Sequence, residues 1–201
     1  MGGFVVTCVD GGSRRGRSEI LSALEMAVYS LALESDGASS EGRVSDVLAA
    51  EAAEARKSQF GLLGGHKGTE VLWVRNSSKW SEMDVYNALV SGTKRVQFIR
   101  RVIPVAEIFT LTIDNIVRMA KKLAGEMPVG ASFRVSLCKR LCSHISSEFI
   151  IATVAKEFDF KVDLINPDRI VVIEIARDLC GMGLIKPCPG NFNLTRDPSL
   201  Q

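Results

Sequence analysis

The chain has 201 residues, with 46% hydrophobic and 24% charged residues and a formal net charge of +2. That composition excludes overall disorder and suits one large or two small globular domains. No stretch approaches the roughly 18 uninterrupted apolar residues of a membrane helix, and no basic leader with a cleavage site opens the chain.

In chain order, Phe4–Val9 is an apolar run and predicts the first strand. Asp10–Arg17 follows as a basic loop carrying Arg14, Arg15 and Arg17, and Ser18 is placed to cap a helix from Glu19 to about Leu33. Three arginines beside a helix start suit a phosphate, and they equally suit a solvated loop. A polar link, Ser35–Gly42, leads to an Ala/Glu-rich helical stretch, Val44–Ser58. Gly61–Gly68 reads as a loop. Its likeness to a phosphate-binding loop is superficial, because Gly68 stands where Ser or Thr is needed after Lys67.

Val71–Val74 predicts a strand, Ser81 caps a helix from Glu82 to about Val90, and Gly92 ends it. Val85, Leu89 and Val90 are expected inward. Val96–Ile103 is the next strand, carrying Arg100 and Arg101, with Pro104 limiting its pairing. Thr112 caps a helix whose stripe is Ile113, Ile116, Val117, Ala120 and Leu123, with Arg118, Lys121 and Lys122 off the stripe.

Phe133–Leu137 alternates apolar and polar residues as a half-buried strand does, and Lys139-Arg140 reads as a basic turn after it. Ser143, Ser146 or Ser147 can cap the next helix, whose apolar face holds Ile145, Phe149, Ile150, Val154 and Phe158. Lys161–Leu164 is a short strand, Asn166-Pro167-Asp168 a turn fixed by proline and its flanking side chains, Ile170–Ile175 a central strand and Leu179–Ile185 one more. Glu174 is expected to face solvent or a basic partner. The polar tail beyond Pro187 is expected to fray.

The order from Ala131 to Lys186, and above all KVDLINPDRIVVIEIARD at Lys161–Asp178, resembles the THUMP domain, an RNA-binding module of tRNA-modifying proteins. The resemblance extends more weakly back to about Lys94. THUMP proteins commonly carry a ferredoxin-like domain directly before the module, and the N-terminal order is compatible with one. The expected fold is therefore α+β: a ferredoxin-like domain over residues 1–104, an α/β THUMP domain over 105–187 and an irregular tail over 188–201.

Charge is distributed unevenly. Residues 1–93 hold 9 Lys/Arg and 12 Asp/Glu, whereas residues 94–201 hold 16 and 11. The positive excess thus sits in the half that resembles an RNA-binding domain. Its candidate RNA contacts are Arg134, Lys139 and Arg140, joined by Arg100, Arg101, Arg118, Lys121 and Lys122. If they converge, they form a surface that tracks phosphates.

Catalytic chemistry is not legible. His66 and His144 lack neighbours that make a triad or metal site, although His144 beside Cys142 could form a thiolate pair. A zinc site from Cys138, Cys142, Cys180 and Cys188 lacks any CxxC pair, and with Cys8 the five cysteines suit free thiols in a reducing cytoplasm. In THUMP enzymes a separate domain catalyses, and about 20 residues past the module leave no room for one. The layout resembles the stand-alone THUMP proteins that serve the RNA cytidine acetyltransferase in tRNA N4-acetylcytidine formation. The resemblance implies a non-enzymatic tRNA-binding adaptor, without cofactor, gripping the acceptor stem and CCA end for a separate acetyltransferase. Two alternatives stand beside it: an RNA-binding subunit of a split methyltransferase or sulfurtransferase, and a protein-interaction module that binds no RNA.

Overall fold

The computed structural model describes residues 2–36, 58–65, 70–92, 96–188 and 192–194. The protein is mixed α/β, with two sheets and four helices among the described residues. The first half runs β1 (Gly3–Cys8), α1 (Ser13–Asp36), β2 (Phe60–Gly65), β3 (Val71–Asn76), α2 (Glu82–Ser91) and β4 (Ile99–Val105). Its strands form an antiparallel sheet in the order β2-β3-β1-β4, a ferredoxin-like arrangement. The second half runs β5 (Glu107–Thr110), α3 (Ile113–Gly125), β6 (Ser132–Arg140), α4 (Ser147–Ala155), β7 (Lys161–Val162), β8 (Arg169–Ala176) and β9 (Leu179–Ile185). That sheet has the order β5-β9-β8-β6-β7, with β6 parallel to both β7 and β8. The chain passes from one sheet to the other at Ala106.

Side-chain alternation explains the layering. On β8, Val171, Ile173 and Ile175 join the core with α3 and α4, alongside Ile116, Met119, Leu123, Ile150 and Val154. Ile170, Val172 and Ala176 point the other way and join the core of the first sheet. Both faces of β8 are therefore covered, which is why it reads as a β-branched run rather than a clean alternation. β1 is buried along its whole length for the same reason. Helices cover one side of it and the second sheet covers the other.

Two glycines allow the sheets to approach. A Cβ built on Gly181 would lie 3.0 Å from Trp73 and Val5, and one on Gly183 would lie 3.1 Å from the Val105 Cα. Gly16 does the same for α1, where a Cβ would stand 2.7 Å from Cys8 Sγ.

Helix starts follow the sequence at three places. Ser81 accepts from the Asp84 amide, Thr112 from the Asn115 amide and Ser146 from the Phe149 amide. The first helix departs from expectation and begins at Ser13, not after Ser18. The Ser13 amide donates to Glu70 Oε2 at 3.0 Å, so a distant carboxylate replaces the local serine cap. Gly61–Gly65, expected as a loop, belongs to edge strand β2, whose pairing with β3 is irregular between Leu62 and Gly64. Glu107–Thr110 is a strand because β9 pairs with it.

Val90 and Phe149, expected inward, are about half exposed. In α4, Ile150 and Val154 take the buried positions, and Phe149 lies one residue off that face. The tail does not simply fray: Phe192 is buried against Tyr86 with ring centroids 5.0 Å apart. Asn193 bridges to Arg101, and the Leu194 amide donates to the Arg100 carbonyl. The helix expected over Val44–Ser58, and His66 to Gly68, lie outside the described residues except for Ser58.

Candidate nucleic-acid interface

The candidate surface is built from β6. This strand continues to Arg140, so Lys139-Arg140 is not a turn. Its parallel register with β8 places Arg134 beside Ile170, Ser136 beside Val172, Cys138 beside Glu174 and Arg140 beside Ala176. These even-numbered residues share the face directed at the seam between the sheets. Phe133, Val135, Leu137 and Lys139 face the helices instead. Adjacent in sequence, Lys139 and Arg140 therefore point to opposite sides.

At the seam, Glu174 is 4% exposed. Arg140 Nη1 lies 3.3 Å from its Oε2, and Arg101 Nη1, reaching across from β4, lies 4.0 Å from its Oε1. Burial pushes the Glu174 carboxyl above the usual range, and the two guanidiniums oppose that shift. Burial and the Glu174 charge also raise the neighbouring Cys138 thiol. At the far end of β6, about 20 Å from Arg140 at 3.3 Å per residue, Arg134 Nη1 donates to the Leu164 carbonyl at 3.3 Å. The Nε atoms of Arg101 and Arg134 are buried without a hydrogen-bond partner among the described residues.

The remaining candidates do not join this row. Arg118 sits on α3, bonded through both terminal nitrogens to Glu107 and stacked 5.7 Å over Phe109. That hydrogen bond lowers the Glu107 carboxyl. Lys121 and Lys122 are exposed on the same helix. Lys139 Nζ donates to the Ile145 carbonyl at 2.5 Å and ties down the link to α4. Arg100 is exposed at the irregular step in the β1–β4 pairing, where Thr7 pairs with Arg101 and Cys8 with Ile99. The eight residues thus divide into a seam row of Arg101, Arg134 and Arg140, a helix-side group of Arg118, Lys121, Lys122 and Lys139, and Arg100 apart.

The KVDLINPD segment shapes one end of the row. Asp163 Oδ1 accepts from the Ile165 and Asn166 amides at 3.0 and 2.8 Å. Asp168 Oδ2 accepts from the Ser132 amide and hydroxyl, both at 2.8 Å, and its own amide donates back to Ser132 Oγ at 3.1 Å. These bonds hold both carboxyls below their usual values. Asp168 pins the loop to the start of β6 and Asp163 braces the loop itself, each through one carboxyl oxygen.

At the first helix, Arg14, Arg15 and Arg17 lie on α1 itself. Arg15 stacks 5.3 Å over Phe98, and Glu19 accepts from the Gln97 and Phe98 amides. With Glu70 already at the helix start, this end serves as a joint between elements. His144 lines an open cleft of about 520 Å³ with Leu111, Leu141, Arg177 and Asp178. Its Nδ1 stands 3.8 Å from Cys142 Sγ. Among the described residues, no group of three or more His, Cys, Asp or Glu is arranged to hold a metal, and no helix is long and apolar enough to cross a membrane.

The residue that sequence reasoning underweighted is Glu174. Its place between Val172 and Ala176 on a doubly covered strand signals burial, and a buried carboxylate requires a cationic partner.

Residues 111–184 match the THUMP domain family. A THUMP domain therefore follows the ferredoxin-like half. Among solved structures, PH1313 from Pyrococcus horikoshii Ot3 shares the fold at a TM-score of 0.55 and 21% identity, over 92% of this chain and 54% of that one. A 4-thiouridine synthetase, solved as an RNA complex with bound ATP, matches at 0.48 and 14% identity, over 94% of this chain and 42% of that one. The THUMP domain of THUMP domain-containing protein 1 matches at 0.30 and 27% identity, over 37% of this chain and 89% of that one. The chain spans about half the length of PH1313. No curated protein sequence matches it.

Proposed function

We propose that the chain is a non-catalytic tRNA-binding adaptor that presents the acceptor stem and CCA end to a separate modification enzyme, a cytidine N4-acetyltransferase. The observation that carries RNA binding is the THUMP domain with arginines along its seam-facing strand, Arg134 and Arg140 on β6 with Arg101 beside them. Guanidiniums on a rigid strand suit phosphate contacts, which orient an RNA without reading its sequence. The adaptor's contribution is positioning: phosphate contacts turn an encounter into an oriented complex. The acetyltransferase comes from the family resemblance alone. Five free thiols favour a reducing cytoplasm as the setting.

The test has two parts. Titration with an unmodified tRNA transcript, the same tRNA lacking its CCA end and a plain RNA duplex should show salt-dependent binding that prefers intact tRNA. Equal weak binding to all three contradicts the adaptor reading. Purified acetyltransferase should then modify tRNA faster with the chain added. Stimulation instead of a methyltransferase or sulfurtransferase assigns the chain to that enzyme.

A further inference from the structure

Glu174 is the one charged residue in the buried set among the described residues. Its same-face neighbours, Val172 and Ala176, are apolar. An apolar side chain in its place would pack as well and avoid desolvating a carboxylate. What the carboxylate adds is orientation. It accepts a hydrogen bond from a terminal nitrogen of Arg140 on β6 at 3.3 Å and stands at ion-pair distance, 4.0 Å, from a terminal nitrogen of Arg101 on β4. A guanidinium has five donors in a rigid fork, so engaging one nitrogen fixes where the others point. Both side chains remain partly open, 27% exposed at Arg140 and 23% at Arg101. Arg101 Nε is also buried without a partner among the described residues.

Resting on the RNA-binding function proposed above, we propose that Glu174 is a positioning residue for a composite phosphodiester site, in which Arg101 and Arg140 clasp one backbone phosphate across the seam. Three charges meet there and sum to +1. The anion meets one fork oriented by a hydrogen bond and a second drawn to the same carboxylate by charge, so less side-chain freedom is lost on binding than with two free arginines. Because each sheet supplies one fork, the bound phosphate also fixes one domain against the other.

The sign of one substitution separates positioning from simple charge. Glu174→Gln removes a negative charge near the RNA, so a purely electrostatic neighbour predicts tighter binding. Positioning predicts weaker binding by about 3- to 30-fold, with a slope of log affinity against log salt shallower by about one phosphate. Arg101→Lys keeps the charge and loses the fork, and it should show a similar loss of affinity with little change in slope. It also decides the matter if Glu174→Gln fails to fold. Lys121→Gln, on the helix side, serves as the reference for loss of one remote charge. The experiment is a tRNA titration of the full chain at four salt concentrations, with melting curves to show that each variant is folded. Folded Glu174→Gln binding as tightly as wild type or tighter overturns the proposal, as does Arg101→Lys with wild-type affinity. Absence of binding by the wild-type chain overturns the RNA-binding reading itself, and this inference with it.

Discussion

Gly183→Ala tests the packing of the two sheets. The three atoms nearest a methyl group there are all backbone: Val105 Cα at 3.1 Å, the Ala106 nitrogen at 3.2 Å and the Pro104 oxygen at 3.3 Å. These atoms lie where the chain crosses from β4 to β5, so no side chain can swing aside. Overpacking of this kind costs about 1–3 kcal/mol. Replacing a strand glycine recovers about 0.5–1 kcal/mol of backbone entropy. The net expected loss is about 0.5–2 kcal/mol, and for a chain of this size each kcal/mol moves Tm by about 2–4 °C. A drop of roughly 1–8 °C should appear in a thermal melt followed by circular dichroism. Gly125→Ala is the matched reference. It ends α3 with nothing within 4 Å of the new methyl, so the same chemical change should be neutral or stabilise by up to about 1 kcal/mol. Gly183→Ala as stable as Gly125→Ala would refute the close approach of the sheets.

Phe192→Ala removes the tail's anchor against Tyr86. It should cost about 1.5–3 kcal/mol in urea denaturation, whereas a frayed tail predicts no change. Asp168 is held below its ordinary value of 3.8 by the Ser132 amide and hydroxyl. A carboxyl depressed on folding contributes stability above its unfolded value that is lost as pH falls through the lower folded value. Asp168→Asn should therefore be less stable than wild type at neutral pH, and the difference should shrink on titration below about pH 4. The Cys8 thiol is pushed up to about 11, first by burial and then by Glu70 and Glu19, and burial also raises Cys180. Both should resist a thiol reagent at pH 8 until denaturant is added. Rapid labelling of either in the native protein would show that its core is open.

Much of this architecture was legible locally. The caps at Ser81 and Thr112, the stripe of α3 and the β8 run all rest on residues close in sequence, whereas Asp168, expected to bond its local backbone, bonds Ser132 instead. What was missed rests on partners far along the chain. β2 looks like a glycine loop because its hydrogen bonds come from β3. The start of α1 is set by Glu70, 57 positions from Ser13. The candidate surface failed to read as two groups for a related reason. Lys139-Arg140 is one basic pair on paper, and only the register with β8 turns the two side chains to opposite faces. Glu174 was read as facing solvent or a basic partner. The basic partner is present, but one of its two arginines lies on the other sheet.

The most direct test of the account compares Arg134→Gln with Lys121→Gln/Lys122→Gln in tRNA titrations across a salt series. The proposed RNA path runs along the seam. Arg134→Gln should therefore weaken binding to all tRNAs alike and reduce the salt slope by about one. The double lysine variant should bind with nearly wild-type slope, despite losing twice the charge. The reverse result, a slope lost with the α3 lysines and kept without Arg134, would move the RNA to the helix side and contradict the account.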